Sequence, residues 1–432
     1  MKASNFQLIV LAIFVSLIIV GVGTFAIFTS GGGSGTGRVE IWGTVESTVM
    51  DRWFTILKES GGDVLDDATY TQLSSATFEQ EVTNAMAAGR GPDLVLVSDS
   101  SLLFFGDKIQ TIPYGAYSQG SFLSSFVDES SLFLRDEGIR ALPILIDPLV
   151  IYWNRNVFST AGIANPPQYW NDLLAIAPKL TSFDASQNVR RSAVAMGTWR
   201  NVANAKPLLA TLMLQAGEPI VSRDEFGQWR SNLGGEGGTE SAAASALRFY
   251  TEFANPGKTT YSWNNSLPNS TNAFLAGDVG IYVGFASEYA LLRERNPNLR
   301  FDAAVMPQLR SGPAATFGRI TGVALSLSTD NQQGALAVAQ YLSSKSAIAA
   351  LVGVSGLPSV RRDVPVDTSA SATAQVFAQS ALIARGWLDP NQAGTDMLFK
   401  DMIESVLSGE GDPSFVALDA VEELNALLKD KK

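Results

Sequence analysis

The sequence predicts an α/β protein built of two bodies, and three observations support that prediction. The chain has 432 residues, 46% of them hydrophobic, which is enough for two domains with separate cores. Short apolar runs alternate with segments whose apolar residues recur every three or four positions, the pattern of strands alternating with helices. The apolar run 142–153 is interrupted by Pro143, Asp147 and Pro148, which an ordinary central strand excludes. We therefore expect this run to leave one sheet at Pro143 and enter another near Leu149, with Asp147 at the crossing.

The predicted elements before this crossing alternate in type. Their order is strand 39–42, helix 46–58, strand 70–73, a helix from 78 to the glycine-rich stretch 88–91, and strand 94–97. Phe78, Val82 and Met86 recur at helical spacing, and Gly89 is a good helix C-cap. The run 94–97 is apolar throughout, as in a parallel strand buried on both faces.

The elements after the crossing continue the same alternation. Trp170, Leu173 and Ala177 mark an amphipathic helix after the Pro-Pro stop at 166–167. The remaining predicted elements are strand 192–196, helix 203–216, helix 242–253, strand 279–283, strand 321–327 as a second crossing, helix 332–342, a loop at 353–358, and helices 399–407 and 415–428.

Charge and composition exclude several function classes. The 31 basic and 42 acidic residues give a net charge of −11 without a Lys/Arg-rich run, so we expect no nucleic-acid partner. The chain has no His, which excludes a Ser-His-Asp triad and His-ligated zinc, and no Cys, which excludes thiol nucleophiles, disulfides and iron–sulfur clusters. No phosphate-binding loop or EF-hand calcium loop is visible. We therefore expect no cofactor and no metal.

The N-terminus predicts a membrane anchor. The run 8–28 carries no charge and is long enough to span about 30 Å of hydrocarbon, whereas the apolar part of a secretory signal has only about 7–15 residues. We expect residues 1–29 to stay as a single-pass anchor, with a cleaved signal as the alternative. Lys2 is the only charge before the run, which favours a cytoplasmic N-terminus and an extracellular remainder. Residues 30–37, with the run GGGSGTG, predict a flexible tether.

Several motifs from residue 38 to the end resemble one family. The crossing strand is followed by YWN, AGI and PPQYWNDLL, and the segments AAGRGPD at 87–93, AFLAGD at 273–278, GVSGLP at 353–358 and SGEGDP at 408–413 match further motifs. Together they resemble family 1 extracellular solute-binding proteins of ABC importers, which are maltose-binding-protein-like. The resemblance implies a type II periplasmic-binding-protein fold. Lobe 1 would comprise 38–145 and 323–358, and lobe 2 would comprise 146–322 and 359–432.

The resemblance also implies a function. Such proteins close two lobes around a ligand and present it to a membrane permease, without chemistry. We expect a neutral mono- or oligosaccharide as ligand, ABC permease subunits as partners, a monomeric state and a location on the outer side of the cell membrane. A peptide or polyol ligand stays open. An anchored sensor or glycan-binding surface protein with the same fold, or a glycosidase, are the alternatives.

The first candidate site residues follow the ends of strands, because ligands bind at the carboxyl ends of strands in open α/β sheets. Thr44 and Glu46 follow strand 39–42, and Ser98 and Asp99 follow strand 94–97. Asp147 stands alone in an apolar crossing, where an unpaired carboxylate is costly. It would contact the ligand, pair with a nearby cation, or form a structural hydrogen bond in the hinge. Two of these carboxylates are also what a glycosidase would need.

Aromatic side chains supply the second set of candidates, because aromatic faces cover the C–H faces of sugars. Trp199, Trp263, Phe285, Tyr289 and Trp387 are expected to line the cleft from lobe 2. The predicted set also includes Arg319, the cation that could pair with Asp147. Structural packing is the alternative for each aromatic residue. Packing or surface roles are expected for four further tryptophans, which are left out of the site: Trp42, Trp153, Trp170 and Trp229.

Overall fold

The computed structural model describes residues 36–235, 240–366, 371–429 and 431. The predicted anchor, residues 1–29, lies outside the described residues, as does the tether apart from Thr36 and Gly37. The strands are β1 Val39–Gly43, β2 Ala68–Gln72, β3 Leu94–Ser98, β4 Ile112–Pro113, β5 Leu134–Arg135, β6 Gly138–Ile139, β7 Leu142–Asn154, β8 Ser182–Phe183, β9 Val189–Val194, β10 Val221–Arg223, β11 Trp229–Ser231, β12 Val279–Phe285, β13 Phe301–Val305, β14 Thr316–Leu325 and β15 Ala384–Arg385.

Helices lie between most of these strands. They are α1 Ser47–Glu59, α2 Phe78–Ala87, α3 Gln119–Ser125, α4 Arg155–Thr160, α5 Trp170–Leu180, α6 Ala205–Gln215, α7 Ala242–Glu252, α8 Ser270–Ala276, α9 Glu288–Arg295, α10 Gln332–Leu342, α11 Lys345–Ser355, α12 Ala372–Leu382, α13 Gln392–Ser408 and α14 Pro413–Leu428. Among the described residues, no single helix is long and apolar enough to cross a membrane. The pair α10 and α11, bent by 62°, meets that test of length and composition only when the two are taken together.

Two long strands join the sheets of the two lobes. The strand order is β2-β1-β3-β14-β7-β12-β9-β8, with β13 paired to β7 and β15 paired to β14. β1 runs parallel to β2 and β3, as β12 does to β9, whereas β7 and β14 run antiparallel to each other and to the strands beside them in the main path. Smaller sheets are β4-β6-β5 and the hairpin β10–β11.

The predicted crossing at Asp147 is present in β7. Residues Leu142 to Pro148 pair with β14, and from Leu149 onward the strand pairs with β12 and β13. Entry into the second sheet near Leu149 is therefore confirmed. Exit from the first sheet at Pro143 is wrong, because pairing with β14 continues to Pro148. In the first sheet this half of β7 is an edge strand, where a proline can lack its N–H without breaking a ladder.

The second predicted crossing is also present, but it is longer than expected. β14 begins at Thr316, where it pairs with β15, and its far end pairs with β3 of lobe 1. The residues before 321 thus belong to the same strand. Among them Gly318 is a point of close approach, because a Cβ at this position would overlap a carboxylate oxygen of Glu129.

Helix ends differ from expectation in two places. α11 continues through Gly353 and ends at Gly356, whose φ of +70° suits a helix C-cap, so the predicted loop begins three residues late. α13 starts at Gln392 rather than 399, because the Asn391 side chain caps it by accepting a hydrogen bond from the N–H of Gly394.

The lobe boundaries stay a prediction. Helices α13 and α14 pack against α7, and α12 packs against β13 and β7, all within the predicted lobe 2. The segment around Val360 and Arg362, however, hydrogen-bonds to the backbone of Val127 and Ser125 in lobe 1.

Candidate functional site

A cavity of about 730 Å³ lies between the two lobes, at the carboxyl ends of β1 and β3. It is large enough for a small ligand. Six of the predicted site residues line it: Thr44, Ser98, Asp99, Trp199, Arg319 and Trp387. The other lining residues are Ser75, Ser100, Arg200, Val202, Ala203, Asn204, Ala205, Lys206, Pro207, Asn269, Phe317, Thr321, Asp389, Gln392 and Asp396.

The turn after β3 places hydroxyl groups and one buried carboxyl at the cavity. Ser98 and Ser100 hydrogen-bond through their hydroxyls at 2.9 Å. Asp99 is 4% exposed, and its Oδ1 accepts a 3.3 Å hydrogen bond from the N–H of Ile320 on β14. Burial raises the pKa of Asp99 to about 7, with Asp389 adding to the increase and Arg319 opposing it. The Asp99 carboxyl is therefore expected to change between its protonated and its ionised form near neutral pH.

A charged group on the lobe 2 side was missed by the sequence reasoning. The Lys206 Nζ donates to Asp389 at 2.7 Å, to Asp396 at 2.8 Å and to the Thr395 hydroxyl at 2.6 Å. Asp389 is 4% exposed and also accepts from the Thr395 hydroxyl. Lys206 lies in an apolar helix, and no local pattern around it indicated that two carboxylates from α13 and its N-terminal loop would meet it.

Trp387 forms one aromatic wall of the cavity. Its ring stacks on Phe399 with centroids 6.1 Å apart and an interplanar angle of 20°, and the Lys206 Nζ lies 5.8 Å from its centroid. Only 3% of Trp387 is exposed, so its orientation is set by core packing. Trp199 is half-buried and lines the cavity from the segment after β9.

Arg319 reaches the cavity with support from Phe285. The guanidinium carbon lies 3.7 Å from the Phe285 ring centroid, a close cation–π contact. Phe285 itself is buried and does not line the cavity. Its predicted role as an aromatic wall is therefore corrected to a support for Arg319.

Asp147 forms the structural hydrogen bond that was one of its three alternatives. Its carboxylate accepts from the Ser287 N–H at 3.0 Å and from the Ser287 hydroxyl at 2.6 Å. Arg319 is its cross-strand neighbour, yet the two form no ion pair among the described residues. Burial raises the pKa of Asp147, and the bonds from Ser287 oppose that increase. Asp147 thus ties the crossing strand to α9 and does not line the cavity.

Three other predicted residues lie away from the cavity. Trp263 is 1% exposed, and its Nε1 donates to Asn201 Oδ1 at 3.0 Å, so it is a core residue. Tyr289 packs among other aromatic rings of lobe 2, namely Tyr152, Phe301 and Phe377. Glu46 is exposed in front of α1. In each case the side chain lies outside the cavity at which the residue was expected.

Among the residues that the structure describes, no group of three or more Asp, Glu, His or Cys could hold a metal ion. The cavity presents hydroxyls, amides, the carboxyl groups of Asp99, Asp389 and Asp396, one paired lysine, two arginines and aromatic rings. This set can bind a polar ligand from both lobes.

Residues 67–378 match the family model described as bacterial extracellular solute-binding protein. A binding protein of Brucella abortus (strain 2308) is 25% identical over 358 residues, which cover 81% of this chain and 83% of that protein. A binding protein of Brucella suis biovar 1 (strain 1330) matches to the same extent.

Solved structures share the two-lobed fold. An ABC transporter solute-binding protein from Thermotoga lettingae bound with α-D-tagatose has a TM-score of 0.65 at 19% identity, covering 91% of this chain and 100% of that one. The cyclic α-maltosyl-1,6-maltose binding protein from Arthrobacter globiformis has a TM-score of 0.73 at 15% identity, with coverages of 91% and 99%. The extracellular solute-binding protein from Staphylococcus aureus in complex with maltose has 0.70 at 15%, with coverages of 91% and 98%. The predicted α/β two-lobed fold is therefore confirmed.

Proposed function

Because the chain belongs to the family of bacterial extracellular solute-binding proteins, we propose that it is the substrate-binding protein of an ABC importer, and that its ligand is a neutral mono- or oligosaccharide. The observation that supports this most is the cavity of about 730 Å³ between the lobes, lined by Trp199 and Trp387 together with polar side chains. Relatives of known structure bind tagatose and maltose, which agrees with a saccharide ligand.

The chemistry of the cavity suits a saccharide. The half-buried ring of Trp199 can cover the apolar face of a sugar ring, and the buried Trp387 adds apolar lining, while hydroxyls and amides such as Ser98, Asn204 and Gln392 match sugar hydroxyls. The charge of Lys206 is neutralised by two carboxylates, and its three N–H donors already bond to Asp389, Asp396 and Thr395. A neutral ligand leaves this ion pair intact.

Ligand capture would proceed by closure of the lobes about β7 and β14. Lobe 1 contributes Thr44, Ser98 and Asp99 to the cavity, and lobe 2 contributes Trp199 and Trp387. A ligand that contacts both sets is bound fully only in the closed arrangement, so binding shifts the population toward it. The permease would then recognise the closed form.

The proposal includes an anchor at the cell membrane. The uncharged run 8–28 would hold the chain in the membrane as a single-pass segment, with the lobes outside and the tether 30–37 between them. Tethering keeps the receptor at high local concentration near its permease. Fractionation of cells followed by protease treatment of intact cells tests this. A soluble, shortened mature form would show cleavage instead of anchoring.

The binding test uses tryptophan fluorescence and calorimetry on the full chain, in a mild detergent if required. Neutral saccharides, polyols, amino acids and polyamines are titrated, and the ligand is analysed afterwards for products. We expect a saccharide to bind unchanged and to alter the emission. Trp199→Phe should remove most of that change, whereas Trp153→Phe, a half-buried lobe 2 tryptophan that packs on Phe158 away from the cavity, should retain it.

The outcomes separate the alternatives. Binding of amino acids or polyamines, without binding of any saccharide, would overturn the saccharide assignment but would not affect the assignment of the fold. A saccharide hydrolysed during the titration would identify a glycosidase. Trp387→Ala removes the buried ring that faces the cavity, and we expect it to weaken saccharide binding by at least about tenfold.

A further inference from the structure

A second cavity, of about 240 Å³, shares Trp387 with the first. We call it the arginine pocket. Its lining includes Arg135 and Asp136 from lobe 1 and Arg223, Trp229 and Trp387 from lobe 2. Like the main cavity, it lies between residues of both lobes.

Two arginines stack on one tryptophan ring in this pocket. The guanidinium carbons of Arg135 and Arg223 lie 5.3 Å and 4.8 Å from the ring centroid of Trp229. Arg135 Nη1 donates to the carbonyls of Leu132 and Leu134. The side chain of Arg223, whose backbone pairs with Trp229 in the hairpin, forms neither a hydrogen bond nor an ion pair with the described part of the chain. The two guanidinium groups therefore keep donors that no carboxylate occupies.

A third donor in the same pocket is unsatisfied. Trp229 Nε1 is buried and has no acceptor among the described residues. Buried indole N–H groups nearly always find a partner, so one without a partner calls for an explanation. An acceptor supplied by a ligand would satisfy it.

The electrostatics of the pocket favour an anion. Burial, together with the nearby charges of Arg223 and Arg140, lowers the pKa of Arg135 to about 10, although Glu137 and Asp136 oppose this decrease. Asp136 is exposed and forms no ion pair with Arg135 or Arg223 among the described residues. A half-buried cation with like charges around it is unfavourable unless a negative group is bound. This local excess of positive charge stands out in a chain of net charge −11.

We propose that the arginine pocket binds an oxyanion group, namely a carboxylate, sulfate or phosphate, through Arg135, Arg223 and the Trp229 indole N–H. Guanidinium groups are suited to such groups because their planar donors match pairs of anionic oxygens. The oxyanion is either a free ion or an acidic substituent on a saccharide that extends past Trp387 from the main cavity. Only the second source rests on the function proposed above.

Bound there, the anion would join the lobes. Arg135 belongs to β5 in lobe 1, and Arg223 belongs to the hairpin β10–β11, which is fixed to α14 by the bond from Ser231 N to Asn425 Oδ1. An anion contacting both arginines therefore adds a bridge that exists only when the lobes are close. We expect it to favour the closed arrangement.

In the first experiment sodium sulfate is titrated into the full chain, and sodium chloride is used to keep the ionic strength constant. We expect saturable binding by calorimetry, weakened about tenfold by Arg223→Ala and severalfold by Trp229→Phe. Trp229→Phe keeps an aromatic ring beside the arginines and removes the indole N–H together with the five-membered ring. Arg52→Ala, on the exposed side of α1, makes the same change in charge away from the pocket and should bind sulfate like the wild type.

The second experiment compares neutral saccharides with their uronic-acid counterparts. A preference for the acidic ligand that Arg223→Ala abolishes, with no binding of free sulfate, would identify the saccharide as the source of the anion. Sulfate binding without such a preference would identify a free ion. The proposal is overturned if the protein shows neither sulfate binding nor a preference for acidic saccharides. It is also overturned if Arg223→Ala and Trp229→Phe leave sulfate binding and that preference unchanged. Binding of neutral saccharides alone would support the proposed function and refute oxyanion binding in the arginine pocket. Sulfate binding without any saccharide binding would support oxyanion binding and refute the saccharide ligand.

Discussion

Asp99 makes the stability of the protein depend on pH in a way that one substitution can isolate. The pKa of this buried carboxyl is raised from 3.8 to about 7. Between these two pH values the unfolded chain has released the proton while the folded chain still holds it, so the folded state binds more protons. Stability is therefore highest at low pH and falls as the pH rises toward 7.

The size of the effect follows from the two pKa values. One pH unit in this window changes the free energy of unfolding by about 1.4 kcal/mol, so the total from pH 4 to pH 7 is about 4 kcal/mol. Other groups titrate in the same range, and their effects must be removed. Asp99→Asn does this, because asparagine keeps the oxygen that accepts from the Ile320 N–H but carries no titratable proton.

The assay is denaturant unfolding at intervals from pH 4 to pH 8, read by tryptophan fluorescence. We expect the stability of wild type relative to Asp99→Asn to fall by about 4 kcal/mol across this range and to level off above pH 7. Asp419→Asn, an exposed change on α14, should show a nearly constant difference from wild type. If the Asp99→Asn difference also stays constant within about 0.5 kcal/mol, the carboxyl titrates normally and the argument from burial is refuted.

Three further predictions concern buried charges. Lys206→Met leaves Asp389 without its cation and should lower the free energy of unfolding by about 3–5 kcal/mol, measured by denaturation, and adding Asp389→Asn should recover most of the loss. Asp147→Ala and Ser287→Ala should give a coupling energy of about 1.5–3 kcal/mol in a double-mutant cycle, and strict additivity would contradict the hydrogen bond. Burial raises the pKa of Glu129 well above its usual value, and neither carboxylate oxygen has a partner among the described residues. Glu129→Gln should therefore gain stability over wild type as the pH rises, and an equal pH dependence of the two proteins would argue against it.

Much of the fold was predictable, because the pattern of apolar residues is local. The strands at 39–42, 94–97 and 279–283 and the helix 332–342 follow directly from runs and spacing, and they lie where expected to within a few residues. Errors occurred where an element began before its local pattern did. β14 begins at Thr316, five residues before the predicted 321, and Asn391 caps a helix that its neighbours did not indicate.

The site was predictable only in part, for a different reason. Residues directly after a strand end, such as Ser98 and Asp99, lie at the cavity because strand direction places them there. Aromatic residues farther from strand ends carried no such constraint. Trp387 lines the cavity whereas Trp263 is buried beside Asn201, although their local sequences predicted a place in the cleft for both.

The sequence alone determined the alternation of strands and helices, the crossing at Asp147 and the resemblance to extracellular solute-binding proteins, since these depend on spacing along the chain. Only the tertiary structure decided that Asp147 bonds to Ser287, that Lys206 meets two carboxylates, and that Arg135 and Arg223 share one tryptophan ring. Apart from the contact of Arg223 with Trp229 inside one hairpin, these contacts join segments that lie from about ninety to 190 residues apart in the chain. Side-chain partners at such separations are set by how the elements pack. A local sequence pattern in one segment therefore does not indicate which residue of the other segment it will contact.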